Sequence, residues 1–281
     1  MSHDSAVQAE INYVRNQADP TIGALEFVTE DESLSTMQTL PGRLVTVRTA
    51  RDLPTSLDEE GFILVPHASK VADFRMIEED PDTDALYIAE MTELLREVTG
   101  ATFALMLGGG KKRFGEQATS ELADLANAKP ARYPHADNTD SSAADLHALV
   151  MSFLGDQVPN GSRWAMFNMW RAVSPPPQDI PLAVCDATTV APGDEVTVTA
   201  ITTTRESGDL RHDTTGYRYN AAHRWYYYPD MHADEVIVFK AHDTDPSRSR
   251  RVPHSAFTNS TCPAGTPTRS SIEARGLAVF A

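Results

Sequence analysis

The sequence predicts a mainly β fold with flanking helices, built around a double-stranded β-helix (jelly-roll, cupin-like) core. Three observations lead to this prediction. Short β-rich runs alternate with turn residues from residue 164 onward, two helical runs precede them, and no repeat or long linker divides the 281 residues. We therefore expect residues 1–281 to form one domain, in which residues 1–125 support a core at residues 126–281.

Two helices are predicted before the β-rich part. Residues 84–98 have the spacing of an amphipathic helix. Its apolar face would comprise Tyr87, Met91, Leu94, Leu95 and Val98. Residues 141–154 are predicted as a second helix, with Asp140 or Ser141 as its N-terminal cap.

The predicted strands are short and are separated by turns, as in a sandwich or barrel. Residues 174–177 and 192–193 supply proline and glycine breaks between them. The strand-like runs are 24–28, 43–48, 101–107, 165–170, 182–185, 195–201, 217–219, 225–228, 235–240 and 278–280.

The chain is acidic, with a formal net charge of −16. We expect no nucleic-acid partner, because phosphate binding needs clustered Lys and Arg. The N-terminus does not read as a signal peptide, and no apolar run approaches the roughly 20 residues that span a bilayer. Cys185 and Cys262 read as free thiols, which favours a reducing, cytoplasmic location. A homodimer is the expected assembly.

His135, Asp137 and His254 are the candidate metal ligands. Because His135 and Asp137 are separated by one residue, both side chains point to the same side of a strand. His254 lies far enough downstream for a late strand to return beside the first one. Two imidazoles and one carboxylate on one face of a metal are the ligand set of non-haem Fe(II) oxygenases.

A second His-x-Asp pair, His232 and Asp234, has the same local chemistry. Too few residues separate His232 from His254 for the strands that must lie between the ligands. The pair also leads directly into the strand-like run 235–240, so it reads as a polar turn.

Arg269 and Ser271 are the candidate cosubstrate residues. On a strand they face the same side, and together they offer a planar cation and a hydroxyl to a carboxylate. The alternative is that Arg269 forms an ordinary surface ion pair with Glu273 or Asp243. The other arginines considered for this role are Arg171 and Arg275.

The glycine-rich, basic run at 107–115 superficially suggests a phosphate-binding loop. It lacks the first glycine of that motif and the Ser or Thr after the lysine. We therefore predict a flexible basic turn here.

Several stretches in the later part of the chain together resemble a known family. They are 167–171 (FNMWR), 181–187 (PLAVCDA), 224–228 (RWYYY), 234–240 (DEVIVFK), 253–257 (PHSAF) and 269–275 (RSSIEAR). In this order they resemble the Fe(II)/2-oxoglutarate-dependent oxygenases of secondary metabolism. That family includes the cephem methoxylation protein, gibberellin-desaturase-like proteins and the fungal meroterpenoid endoperoxide synthase. The resemblance covers residues 130–280.

The resemblance implies a dioxygenase that uses Fe(II) and 2-oxoglutarate to oxidise a small natural product by hydroxylation, desaturation or endoperoxidation. It implies iron ligation by His135, Asp137 and His254, and cosubstrate binding by Arg269 and Ser271. Two other functions stay open on the sequence: a non-catalytic, cupin-like metal-binding protein for small molecules, and a zinc hydrolase. The hydrolase would have no evident use for the Arg-x-Ser pair.

Overall fold

The computed structural model describes residues 6–15, 25–28, 34–40, 42–114, 130–155, 161–204 and 208–280. Within these ranges, fifteen strands and two α-helices are present. The helices are α1 (Pro81–Thr99) and α2 (Asp140–Leu154). The strands are β1 (Ala6–Ile11), β2 (Leu25–Val28), β3 (Arg43–Thr49), β4 (Phe62–Pro66), β5 (Phe103–Met106), β6 (Lys111–Phe114), β7 (His135–Ala136), β8 (Arg163–Ala172), β9 (Leu182–Cys185), β10 (Glu195–Thr204), β11 (Gly208–Tyr217), β12 (Trp225–Tyr227), β13 (Glu235–Asp243), β14 (His254–Ala256) and β15 (Ser270–Phe280).

The strands form two sheets. One has the order β1-β3-β12-β9-β14-β7-β11-β10-β2, and the other has the order β4-β13-β8-β15-β5 with β6 also paired to β15. Strands from the first 125 residues therefore lie in both sheets, beside strands from the later part. The mainly β prediction with flanking helices is confirmed, whereas the single domain with a supporting part at 1–125 stays a prediction.

Helix α1 packs on the outer face of the smaller sheet. Asp80 caps its N-terminus by accepting a hydrogen bond from the Thr83 amide, and Gly100 ends it in the left-handed conformation (φ 66°) that glycine adopts without a steric penalty. The buried side chains of the helix are Tyr87, Met91, Leu94 and Leu95. This confirms most of the predicted apolar face, although the helix begins three residues earlier than predicted.

Helix α2 is confirmed, but its predicted cap is wrong. The capping residue is Thr139, not Asp140 or Ser141. Thr139 Oγ1 accepts from the Ser142 amide at 3.1 Å, and Ser142 Oγ accepts from the Thr139 amide at 2.9 Å. This reciprocal pair satisfies two amides that the helix itself leaves free.

Two further predictions need correction. The basic run is a turn only at its start: residues 107–109 form a bend, whereas Lys111–Phe114 forms β6 and pairs with β15. Residue 115 lies outside the described residues. The closing strand is also much longer than the predicted 278–280, since β15 begins at Ser270.

Alternation along β8 and β15 decides which side chains reach the space between the sheets. Phe167 and Met169 of β8 pack in the same cluster as the buried face of α1, together with Ile272 and Ala274 of β15. Trp170 instead packs with residues of both sheets. Because side chains alternate along a strand, the odd-numbered residues of β15 point inward, away from α1.

Candidate metal centre

Neighbouring strands bring the three predicted ligands together. His135 of β7 and His254 of β14 are direct register partners, with ring centroids 4.3 Å apart. Asp137 follows β7 immediately, and its Oδ1 lies 3.7 Å from His135 Nε2. One ligand atom from each of the three residues falls within 4.8 Å of the others. Among the described residues, this is the one group of His, Cys, Asp or Glu side chains suited to share an ion.

Hydrogen bonds orient both imidazoles. His135 Nδ1 lies 3.1 Å from the Tyr133 carbonyl oxygen, and His254 Nδ1 lies 3.3 Å from the Val252 carbonyl oxygen. Because a carbonyl oxygen can only accept, the proton of each neutral ring belongs on Nδ1. Nε2 of each ring therefore keeps its lone pair for a metal ion.

The electrostatics of the group favour a bound cation. Burial, helped by the nearby His254, lowers the pKa of His135 to about 4, so this ring is neutral at ordinary pH. Burial alone would raise the pKa of the Asp137 carboxyl. The opposing charge of Arg275 and the neighbouring histidines hold that pKa below its usual range instead. A neutral His135 ring and an ionised Asp137 carboxylate are the protonation states that metal binding requires of these two ligands.

Arg269 directly precedes β15, Ser271 lies on the inward face of the strand, and both residues are buried. Arg269 Nη1 donates to Ser271 Oγ at 3.1 Å, while Nε and Nη2 are buried without a partner in the described part of the chain. The Trp170 ring centroid lies 5.7 Å from the guanidinium carbon. Burial lowers the pKa of Arg269 to about 10, which still leaves it charged at neutral pH.

The surface ion pair considered for Arg269 is not formed. Asp243 instead binds Arg163 and Lys240, and Glu273 binds Arg275. The guanidinium of Arg269 is thus a buried cation that contacts a hydroxyl and an aromatic ring, while the carboxylate of Asp179 accepts from the backbone amide of Arg269 and not from its guanidinium. Because an unpaired buried charge is costly, such a side chain suits an anionic ligand.

The two other arginines have different positions. Arg171 is fully buried on the α1 side of β8, where it donates to the carbonyl oxygens of His67 and Ala233 and lies over the Phe74 ring. Arg275 faces the candidate site, but its Nε lies 3.0 Å from Asp137 Oδ2. Arg171 therefore contacts none of the candidate ligands, and Arg275 is occupied by one of them.

The second His-x-Asp pair is not part of the centre. His232 and Asp234 lie in a turn before β13, and His232 lines a surface cavity of about 320 Å³ with Arg51, Asp52 and Glu235. The prediction that this pair is a polar turn is confirmed.

Taken together, the donor set fits the implied cofactors. Two imidazole nitrogens and one carboxylate form the facial triad typical of non-haem Fe(II) sites with open positions. The buried guanidinium of Arg269, with no carboxylate hydrogen-bonded to it, fits the far carboxylate of a dicarboxylate cosubstrate. Asn168 is among the contacts of the ligands that the sequence did not suggest, since only the pairing of strands brings it to Asp137.

Comparison with known proteins gives consistent matches. The family described as "Oxidoreductase/YMDC permease-like domain" matches residues 11–280. The hydroxylase/desaturase efuI of Hormonema carpetanum is 31% identical over 96% of this chain and 94% of its own length. The Fe(II)/2-oxoglutarate-dependent dioxygenase nvfI of Aspergillus novofumigatus is 30% identical over 79% of this chain and 77% of its own length. The solved structure of the iron and alpha-ketoglutarate-dependent endoperoxidase NvfI has a TM-score of 0.80 at 25% identity, and the match covers 99% of each chain.

The fold and these relatives define a jelly-roll oxygenase dependent on non-haem iron, which confirms the predicted core. The chain belongs to this oxidoreductase family. Its relatives in the family include Fe(II)/2-oxoglutarate-dependent dioxygenases and hydroxylase/desaturases of secondary metabolism. It is an enzyme that requires Fe(II) and 2-oxoglutarate, and its substrate is a small molecule. In the ranges that the structure describes, none of the helices has the length and apolar character needed to cross a bilayer.

Proposed function

We propose that His135, Asp137 and His254 hold the iron, and that Arg269 with Ser271 binds the far carboxylate of 2-oxoglutarate. The observation that carries this proposal is the convergence of three ligand atoms within 4.8 Å. A buried guanidinium beside β15 without a carboxylate hydrogen-bonded to it supports the second half.

In this proposal the protein binds and orients while the cofactor supplies the oxidising chemistry. Bound iron, with O₂ and 2-oxoglutarate, provides the means to break a C–H bond of the substrate. The two Nδ1 hydrogen bonds fix the imidazole planes, and Arg269 neutralises the carboxylate that would otherwise be buried unpaired. The surrounding apolar side chains, including Phe239 against the His254 ring, exclude water from the ligands.

We propose a natural-product substrate that is hydroxylated, desaturated or converted to an endoperoxide. Support comes from the relatives, whose names include a hydroxylase/desaturase and an endoperoxidase. The two alternatives, a non-catalytic metal-binding protein and a zinc hydrolase, are both disfavoured by Arg269. Neither has a use for a buried cation that lacks an acidic partner.

The test is formation of succinate from 2-oxoglutarate by purified protein supplied with Fe(II), ascorbate and O₂. Wild-type protein is expected to form succinate and, under anaerobic conditions, to develop the weak visible charge-transfer band of an iron–2-oxoglutarate chelate. His135→Ala should lose both signals. His232→Ala, which removes a histidine of the excluded pair, is the matched control and should keep them. Unchanged turnover in His135→Ala would refute the assignment of the ligands.

We also propose a cytoplasmic location and a homodimeric assembly. The free thiols of Cys185 and Cys262 support a reducing compartment. Light scattering of the purified protein tests the dimer.

A further inference from the structure

We propose that Arg275 and Asn168 are positioning residues that hold Oδ2 of Asp137, so that the carboxylate presents only Oδ1 to the metal ion. This inference rests on the proposed function, because it assumes that Asp137 is a metal ligand. In this role Arg275 contacts the metal ligand Asp137 and does not bind the cosubstrate.

The contacts of Asp137 divide unequally between its two oxygens. Asn168 Nδ2 donates to Oδ2 at 2.6 Å, and Arg275 Nε lies 3.0 Å from the same atom. Oδ1 faces the histidine, 3.7 Å from His135 Nε2. Oδ1 is therefore the oxygen nearest the other candidate ligands, whereas Oδ2 forms the contacts with Asn168 and Arg275.

The two donors form one rigid unit. Arg275 of β15 and Asn168 of β8 are direct register partners in the sheet. Arg275 is further fixed by Glu273, whose Oε1 accepts from Arg275 Nε at 2.8 Å. A carboxylate held by donors on paired strands has little freedom to rotate about its Cβ–Cγ bond.

Rotational freedom matters because a free carboxylate can bind a cation through one oxygen or through both. Binding through both oxygens would use a coordination position that the facial arrangement leaves open for other ligands. Donors that engage Oδ2 favour binding through Oδ1 alone and keep that position available. Groups that orient a metal ligand in this way typically change metal affinity or activity by about 10–100-fold when removed.

Strand β15 would then serve both halves of the site. Its inward face carries Ser271, which accepts from Arg269 just before the strand, and Arg275, which contacts Asp137 four residues beyond Ser271. Because Ser271 and Arg275 share one strand face, the backbone of a single strand sets the separation between the proposed cosubstrate-binding residues and the metal ligand.

The experiment measures the affinity of the metal-free protein for Mn(II), a redox-stable probe, by electron paramagnetic resonance. We expect Arg275→Met and Asn168→Ala each to weaken Mn(II) binding about 10–100-fold. Arg96→Met is the matched control, since Arg96 is similarly exposed and is also paired with a glutamate, Glu93. It should bind Mn(II) as wild type does. Equal melting temperatures of the metal-free proteins show that all of them fold.

Two outcomes separate this inference from the proposed function. If Asp137→Ala loses Mn(II) binding while Arg275→Met and Asn168→Ala bind like wild type, the positioning role is overturned and the ligand assignment stands. If Asp137→Ala itself binds like wild type, the ligand assignment fails, and the positioning role fails with it. A change in the Mn(II) resonance line shape of Arg275→Met supports the inference independently, because a residue needed only for folding would not alter it.

Discussion

Arg269 Nη1 donates to Ser271 Oγ at 3.1 Å across one intervening residue, and none of the carboxylates in the described structure accepts a hydrogen bond from the guanidinium. This contact orients the guanidinium, whereas its Nε and Nη2 have no hydrogen-bond partner among the described residues. An arginine kept for stability would be expected to touch a carboxylate at this depth.

We expect Arg269→Met to weaken 2-oxoglutarate binding about 100-fold or more, because leaving a buried carboxylate without its partner costs about 3–5 kcal/mol. Without cosubstrate, the variant should be at least as stable as wild type, because it removes an unpaired buried charge. Thermal unfolding with and without 2-oxoglutarate measures both effects. A large loss of stability in the cosubstrate-free variant would instead show that Arg269 is structural.

The imidazole of His242 is predicted to make stability fall in mild acid. It is buried against Trp164, and burial, with the charge of Arg251 adding to it, lowers its pKa to about 4 from an unfolded value of 6.5. As pH falls through this window, the unfolded chain takes up a proton that the folded protein resists. The stability present above pH 6.5 is therefore lost by up to about 3 kcal/mol as the pH approaches 4.

His242→Phe tests this by keeping the aromatic contact with Trp164 while removing the titrating group. Urea unfolding at several pH values should show a smaller loss of stability in the variant than in wild type between pH 6.5 and 4. The same pH dependence in both proteins would rule out His242 as the cause.

Asp243 is predicted to matter more for stability than the lysine it binds. Lys240 Nζ lies 2.7 Å from Asp243 Oδ2 with both side chains fully buried, and Arg163 binds the same carboxylate through two nitrogens. Asp243→Asn removes the carboxylate that both cations share, leaves Lys240 with only Asp58 Oδ1 at 3.6 Å, and should cost about 3–5 kcal/mol. Lys240→Met should cost less, because Arg163 still balances Asp243. Equal losses in urea unfolding would contradict this order.

Much of the site could be predicted because its signals are local. One-residue spacing places His135 beside Asp137 and Arg269 beside Ser271, and a strand needs no further information to align them. Helix α1 was predictable for a similar reason, since its buried residues recur at helical intervals. The approach of His254 to His135 required the predicted fold as well, because only closure of the sheets brings a late strand beside the first one.

Other features depend on pairing between distant strands and leave little trace in the sequence. Strand β11 is rich in Asp, Arg and Thr, so no apolar alternation marks it. Strand β1 was missed although its buried residues do alternate, at Val7, Ala9 and Ile11. The contact of Asn168 with Asp137 requires the register of β8, and no spacing rule connects those two residues.

The outward face of β15 is as constrained as its inward face, because Ile272 and Ala274 pack in one cluster with the buried face of α1. Gly276 leaves little room on that side either, since an added methyl group would overlap the side chains of Met106 and Leu95. Inserting or deleting a single residue between positions 269 and 275 would move the side chains on one side of the change to the opposite face of the strand. Charged side chains would then face the helix, and apolar ones would face the candidate metal centre. The length of this segment is therefore as much a requirement for catalysis as the identity of any residue in it.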